Sequence, residues 1–360
     1  MTEGGPPLFT AVASSPRQLF HLLNTISFAS RVQVRITSEG IRFAAAETGV
    51  LEAFIFLSRN LFVTYRLAPA SDNDTSSSPP SISFSLLLGP LLSTLQILSS
   101  AAAPDVPSSP FAAHQLTRHA GAFSSSVLGT QGQCRLVYRA AGARLELSVP
   151  ETGGVRTACG LATYLGAGDE AGWGAGRRDQ DDDDGEGESN RDEIPFDRNS
   201  LRLKAILPSS ALGDAVVDIN ALGPPDVLVI DASSTAPYLI LRGEGGSGGE
   251  CRVEFADESI AGGGRTKLLE TFQCQSRVRA RYNFGTVKKA LVAMRAGTKV
   301  SLRIDGNGVL SLQFLVELSE GAAEEKGKDE VAFVDFRIVP QFEEDGGDSE
   351  SSEHSDEEDD

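Results

Sequence analysis

Tyr282 to Leu318 reads YNFGTVKKALVAMRAGTKVSLRIDGNGVLSLQFLVEL. Val287, Leu291 and Met294 recur at spacings of four and three, which is one apolar face of a helix. Gly297 ends that helix. Val300, Leu302 and Ile304 then alternate with polar residues, Asp305-Gly306-Asn307-Gly308 turns the chain, and Leu310, Leu312, Phe314 and Val316 alternate on the return. The stretch predicts a helix followed by a tight hairpin. The same unit stands near the N-terminus, where Leu19, Leu22, Leu23 and Ile26 form a helical stripe. Val32, Val34 and Ile36 alternate after it, Ser38-Glu39-Gly40 turns, and Ile41, Phe43 and Ala45 return. A repeated supersecondary unit outranks any local motif in deciding architecture.

Two further units complete the pattern. Leu87 to Ser99 reads as a helix weakened by Gly89-Pro90, and Arg135–Arg139 with Leu145–Val149 as a hairpin around Ala141-Gly142. In the second half, Pro208-Ser209-Ser210 opens a helix carrying Leu212, Ala215, Val216 and Ile219, and Val227–Asp231 pairs with Tyr238–Arg242. Single strands fill the rest: Leu8–Ala13, Leu51–Leu57, Leu61–Leu67, Ile82–Leu86, Val155–Leu165, Leu201–Leu207, Glu250–Phe255, Lys267–Cys274 and Val331–Val339. Ser14-Ser15-Pro16 caps the first helix, which the pattern carries to about Phe28. The fold class is α+β: two similar halves, each with two helices packed on antiparallel sheets.

At 360 residues and 40 % hydrophobic content, the chain is long enough for two cores. Its net charge of −18 is concentrated. Asp169–Glu193 carries −8 and Gln341–Asp360 carries −11, which leaves the rest near +1. The patterned part is therefore close to neutral, and its acidity does not exclude a nucleic-acid partner. Gly166–Arg191 lacks the apolar content to fold and reads as a disordered insertion in a connector, and the chain from Gln341 as a disordered acidic tail. Cys134, Cys159, Cys251 and Cys274 are scattered and read as structural free thiols. Met1–Pro7 is small and polar, unlike a secretory signal, and the longest apolar run, Phe84–Leu98, is broken and too short to cross a bilayer. The expectation is an intracellular protein with no membrane partner.

Few folds combine many strands with four helices in two similar halves, and this is the pattern of a DNA sliding clamp. Arg277–Val316, Lys267–Cys274 and Ala236-Pro-Tyr-Leu-Ile-Leu resemble the Rad-one family subunit of the heterotrimeric nine-one-one checkpoint clamp. So does Val32–Phe56, with Gly40-Ile41 and Gly49-Val50-Leu51-Glu52-Ala53-Phe54. The resemblance implies a clamp (processivity-factor) fold, with a clamp domain at 1–155 and a connector at 156–200. It implies a second clamp domain at 201–340 and a tail at 341–360. It also implies two paralogous partner subunits, double-stranded DNA through the ring, a clamp loader, repair or checkpoint proteins as clients, and nuclear residence. It calls for no cofactor, metal or catalytic residue. The alternatives are a 3′-to-5′ exonuclease and a homotrimeric replication-type clamp.

A ring that slides needs positive charge facing phosphates, without base readout. The helix residues suited to it are Lys288, Lys289, Arg17 and Arg295, with His21 a weaker candidate. Arg31 and Lys299 lie just past the helices, and the third helix carries Asp214 and Asp218 instead. Ring closure needs free sheet edges, expected from the second hairpin of each half near Arg135–Val149 and Tyr238–Phe255. Val155–Leu165 reads either as the lining of a partner groove or as a buried strand. Ser355 precedes Asp356-Glu357-Glu358 at the spacing an acid-directed kinase uses, and Ser352 and then Ser349 follow in turn, since each new phosphate sits three residues on. For nuclease chemistry, Asp231, Asp335, Asp257-Glu258 and Asp181–Asp184 offer no converging set. His114 and His119 lack metal-ligand companions, and Gly243–Gly249 lacks the lysine that ends a phosphate loop.

Overall fold

A computed structural model describes residues 5–47, 49–69, 81–102, 132–150, 155–165, 193–255, 268–318 and 331–342. The acidic insertion, the tail beyond 342, the phosphorylation candidates Ser349, Ser352 and Ser355, His114, His119 and Asp257-Glu258 lie outside the described residues.

The first half runs β1 (Phe9–Ala13), α1 (Pro16–Asn24), β2 (Arg31–Ile36), β3 (Gly40–Glu47), β4 (Leu51–Ser58), β5 (Phe62–Leu67), β6 (Ile82–Leu87), α2 (Leu88–Ala102), β7 (Cys134–Tyr138), β8 (Leu145–Pro150) and β9 (Arg156–Leu161). The second runs β10 (Leu201–Pro208), α3 (Ser209–Ala221), β11 (Val227–Ala232), β12 (Leu239–Glu244), β13 (Cys251–Phe255), β14 (Thr271–Cys274) and β15 (Val278–Asn283). It continues with α4 (Phe284–Lys288), α5 (Leu291–Ala296), β16 (Lys299–Asp305), β17 (Leu310–Glu317) and β18 (Val331–Ile338).

The two halves pair their strands by one rule. Each builds a five-stranded antiparallel set, β5-β1-β7-β8-β9 in the first and β14-β10-β16-β17-β18 in the second. Each also builds a four-stranded set, β4-β3-β2-β6 in the first and β13-β12-β11-β15 in the second. One extra ladder joins them. β18 pairs antiparallel with β4, from Phe333 opposite Phe56 to Ile338 opposite Leu51, and fuses one set from each half into a nine-stranded sheet. The inward residues of that ladder are buried, among them Val334, Phe336, Ile338, Leu51, Ala53 and Ile55. Phe336 packs edge-on against Phe314 with centroids 5.9 Å apart. Burying this apolar face beneath the helices supplies the main driving force for the fold.

The local structure matches the sequence pattern with three refinements. Ser15 caps α1 by accepting the Gln18 N–H, with Pro16 in the first turn, but the helix ends at Asn24 rather than near Phe28. Gly89-Pro90 does not weaken α2, because it falls in the first turn, where a backbone N–H has no acceptor within the helix. The helix of the Tyr282–Leu318 stretch is two short helices. Lys289 N–H donates to the Thr286 carbonyl and Ala290 N–H to that of Val287, a tightened turn that interrupts the i to i−4 ladder before α5 resumes it.

The hairpin after α5 turns on Asp305, whose side chain is fully buried. Its carboxylate accepts the N–H groups of Asn307 at 3.0 Å and Val309 at 2.8 Å, while Gly308 takes φ +83°. A third N–H, from Asp197, reaches the other oxygen at 3.1 Å. Both described ends of the connector are tied to the nine-stranded sheet in this manner. Tyr164 exchanges two backbone hydrogen bonds with Ser85 on β6, each 2.8 Å, and Arg31 lies over its ring. On the return, Glu193 pairs with Arg42 at 2.9 Å, Ile194 N–H donates to Glu52 at 2.7 Å, and Arg337 donates to the Ile194 carbonyl at 2.9 Å. The Val155–Leu165 segment is not a fully buried strand. It forms β9, an edge strand whose residues from Arg156 to Gly160 alternate between exposed and half-buried.

These carboxylates lead to two expected outcomes. Asp305→Ala strands three backbone N–H groups and is expected to cost about 3 kcal/mol or more in denaturant unfolding. Burial pushes the Glu52 carboxyl above its ordinary value, partly offset by the Ile194 hydrogen bond. A raised folded-state value means that the folded protein holds the proton more tightly than the unfolded chain. This contribution to stability is present at acid pH and is lost as pH rises from the ordinary carboxylate range through the raised value. Glu52→Gln is therefore expected to gain stability relative to wild type as pH is raised from about 4.5 to about 7, measured as paired unfolding midpoints.

Candidate nucleic-acid interface

The helices form one continuous layer. α2 packs on α1, α1 on α5, and α5 on α3, so elements from both halves meet side by side. Their buried faces cover the inward side of the sheets, and their other faces are exposed.

The exposed positions differ sharply between helices. On α1 they include Arg17 and His21, where the Arg17 Nε–H donates to the His21 ring nitrogen at 3.4 Å. α2 presents Ser93, Gln96, Ile97 and Ser100, with no charge. α3 presents Ser210, Asp214, Val217 and Asp218. The α4–α5 pair presents Lys288, Val292 and Arg295. Lys288 donates to the Asn220 side chain at 3.0 Å, which holds its ammonium at the C-terminal end of α3. Lys289 is part-buried and pairs with Glu47 of β3, so its charge is answered within the chain and links the two halves. The helix face thus brings together Arg17, His21, Lys288 and Arg295, with Lys289 beside it, half-buried against Glu47.

Arg31 and Lys299 are not part of this face. Strand alternation sends Val32 and Val300 inward under the helices, so the side chains beside them point to the opposite side of the sheet. There Lys299 pairs with Glu270 at 2.8 Å.

The sheet ends also correct an expectation. β7 and β8 are interior strands, paired on both sides, so the Arg135–Val149 hairpin offers no edge. In the second half β12 is interior as well, so of the Tyr238–Phe255 hairpin only β13 is an edge. Sequence reasoning included β13 in its second-half edge but missed β9, although the equivalence of the halves holds the signal. β9 is the counterpart of β18, β13 is the counterpart of β4, and both lack in this chain the partner that β18 and β4 find in each other.

Among the described residues no three metal-ligating side chains cluster. Asp231 and Asp335 lie in different sheets, the first near Arg242 at 3.8 Å and the second near Arg337 at 3.8 Å. Burial pushes the Cys134 thiol up to about 12, as befits a packing residue.

Paired half-units joined edge to edge, with α1, α2, α3 and α5 packed in one layer and the counterpart strands β9 and β13 left as edges, define the sliding-clamp class. Solved sliding clamps share the fold. Proliferating cell nuclear antigen from Thermococcus kodakaraensis superposes with a TM-score of 0.56 at 16 % identity, over 92 % of this chain and all of that one. The Entamoeba histolytica counterpart gives 0.58 at 14 %, over 94 % and 100 %. Within the class, the chain belongs to the family described as repair protein Rad1/Rec1/Rad17, whose pattern matches residues 8–316. It is 29 % identical to the DNA damage checkpoint control protein rad1 of Schizosaccharomyces pombe, over 92 % of this chain and 86 % of the relative. It is 24 % identical to the human cell cycle checkpoint protein RAD1, over 92 % of each.

Proposed function

We propose that the chain is a non-catalytic subunit of a three-chain checkpoint clamp that closes around double-stranded DNA in the nucleus. There it serves as a platform for repair and checkpoint factors. The observation that carries this is the β18–β4 ladder. If β9 of one subunit pairs with β13 of the next, each contact between chains repeats the contact already made within the chain. Six equivalent half-units then close on themselves when each chain supplies two. Unpaired edges of this kind invite strand addition, and a closed ring removes them.

The helix face favours paralogous partners over two further copies of the same chain. One subunit offers Arg17, Lys288 and Arg295 against Asp214 and Asp218, a thin positive lining for a polyanion. Subunits with more basic helices would supply the rest. Binding through such a lining is weak, sequence-independent and sensitive to salt, which suits a ring that must move along DNA. The relatives named as checkpoint proteins support the same assignment.

Two measurements test this reading. On assembly with the two paralogous subunits and a clamp loader, amides of 156–161 and 251–255 are expected to gain protection from hydrogen exchange. Protection elsewhere with none at these strands, or a stable homotrimer of the isolated chain, would overturn it. In the assembled ring, Lys288→Glu with Arg295→Glu is expected to weaken retention on circular DNA and to lower the salt slope by about two. Retention unchanged at low salt would remove these residues from the interface.

A further inference from the structure

On the second half of the chain, away from the helix layer, lies an open pocket of about 400 Å³. Its charged lining residues are Arg202, Arg279 and Arg281, and the Gly306–Gly308 turn and the segment Pro340–Phe342 complete its walls. Arg281 belongs to a cross-strand row, since Val229 stands opposite both Arg281 and Arg242, and Arg242 stands opposite Arg252. Among the described residues the carboxylate that reaches the lining arginines is Glu244, 3.4 Å from Arg279 and 2.8 Å from Arg281. Glu244 also holds Arg242 at 2.8 Å. Arg242 lies outside the pocket and is answered by Asp231 and Glu250 as well. Of the lining arginines, Arg202 has no ion pair among the described residues and Arg279 shares Glu244 with Arg281, so the lining carries more positive than negative charge.

The chain itself leaves the fold through this pocket. Gln341 N–H donates to the Arg281 carbonyl at 2.7 Å, which seats the exit against the wall. Phe342 lines the pocket while remaining 82 % exposed. Immediately after it come Glu343, Glu344 and Asp345, the start of an eighteen-residue segment with eleven carboxylates and no lysine or arginine. Three extended residues span about 10 Å, so the first carboxylates need no long excursion to reach Arg202 or Arg279. Tethering at the rim gives them an effective concentration that a free acidic ligand must exceed. Guanidinium groups bind carboxylates in a bidentate fork, the pairing this composition offers.

We propose that the segment from Glu343 onward folds back into the arginine pocket and occupies it. The tail is then an internal competitor for any acidic ligand of this surface. The probe is a fluorescein-labelled octaglutamate peptide, titrated by anisotropy at low salt (about 50 mM, where screening is weak) against two full-length chains. One is wild type, and the other carries Glu343→Gln, Glu344→Gln, Asp345→Asn and Asp348→Asn. The neutralised tail is expected to raise peptide affinity about tenfold. Adding Arg202→Glu and Arg279→Glu to that chain is expected to abolish the gain. Equal affinity for both tails overturns the proposal.

Hydrogen exchange at 279–281 and 306–308 gives an independent readout that needs no peptide. Exchange is expected to be slower in wild type than in the neutralised chain, and the difference is expected to be independent of protein concentration and lost at high salt. No difference, or protection that grows with concentration and so comes from a neighbouring molecule's tail, overturns the fold-back.

Discussion

Everything in this molecule hangs on one ladder of backbone hydrogen bonds, between β18 near the end of the patterned chain and β4 near its beginning. Without it the chain is two separate half-units, each with a strand edge open to solvent. With it, the inward residues of both strands lie under one helix layer and join one core. The outward residues of the same two strands make equally specific contacts. Glu52 and Arg337 stand opposite each other and grip the backbone of Ile194 from both sides. Phe54 packs beneath the guanidinium groups of Arg42 and Arg337. The ladder that joins the halves therefore also fixes where the connector returns. Burying those charges is tolerable because each finds a partner.

The helix side is sparse by comparison. Its basic groups are few, and one of them, Lys289, is engaged in holding Glu47. Asp214 and Asp218 on α3 stand against the charge that α1 and α5 offer. On the reading proposed above, such a face attracts a phosphate backbone without gripping it, and in the sequence most of the negative charge belongs to Asp169–Glu193 and Gln341–Asp360 rather than to the helices.

Much of this was legible in the amino-acid sequence. Alternation at 31–46 and at 299–316 marked the hairpins and their buried faces. Asp305-Gly306-Asn307-Gly308 marked the turn, and the repetition of helix plus hairpin pointed to the class. The features that stayed hidden share one cause. Periodicity says which residues share a face but not what meets that face. Arg31 and Lys299 looked like neighbours of the helices because they are close in sequence, yet the period of two turns them to the other side of the sheet. Lys289 meets Glu47 across 242 residues, and no local pattern announces such a pair. The edge of the first half was misplaced for the same reason. A hairpin was visible at Arg135–Val149, but β1 and β9 had to be in position before it became clear that neither of its strands is free.

The two anchors of the connector bear on how such a chain tolerates change over evolutionary time. Tyr164 is tied to Ser85 on one side, and Glu193 to Asp197 are tied to Arg42, Glu52, Arg337 and Asp305 on the other. Residues added between two fixed posts do not shift either post. The entropic cost of a longer closed loop grows only with the logarithm of its length. Whole segments can therefore be added or removed between these posts at small cost to the sheet beneath.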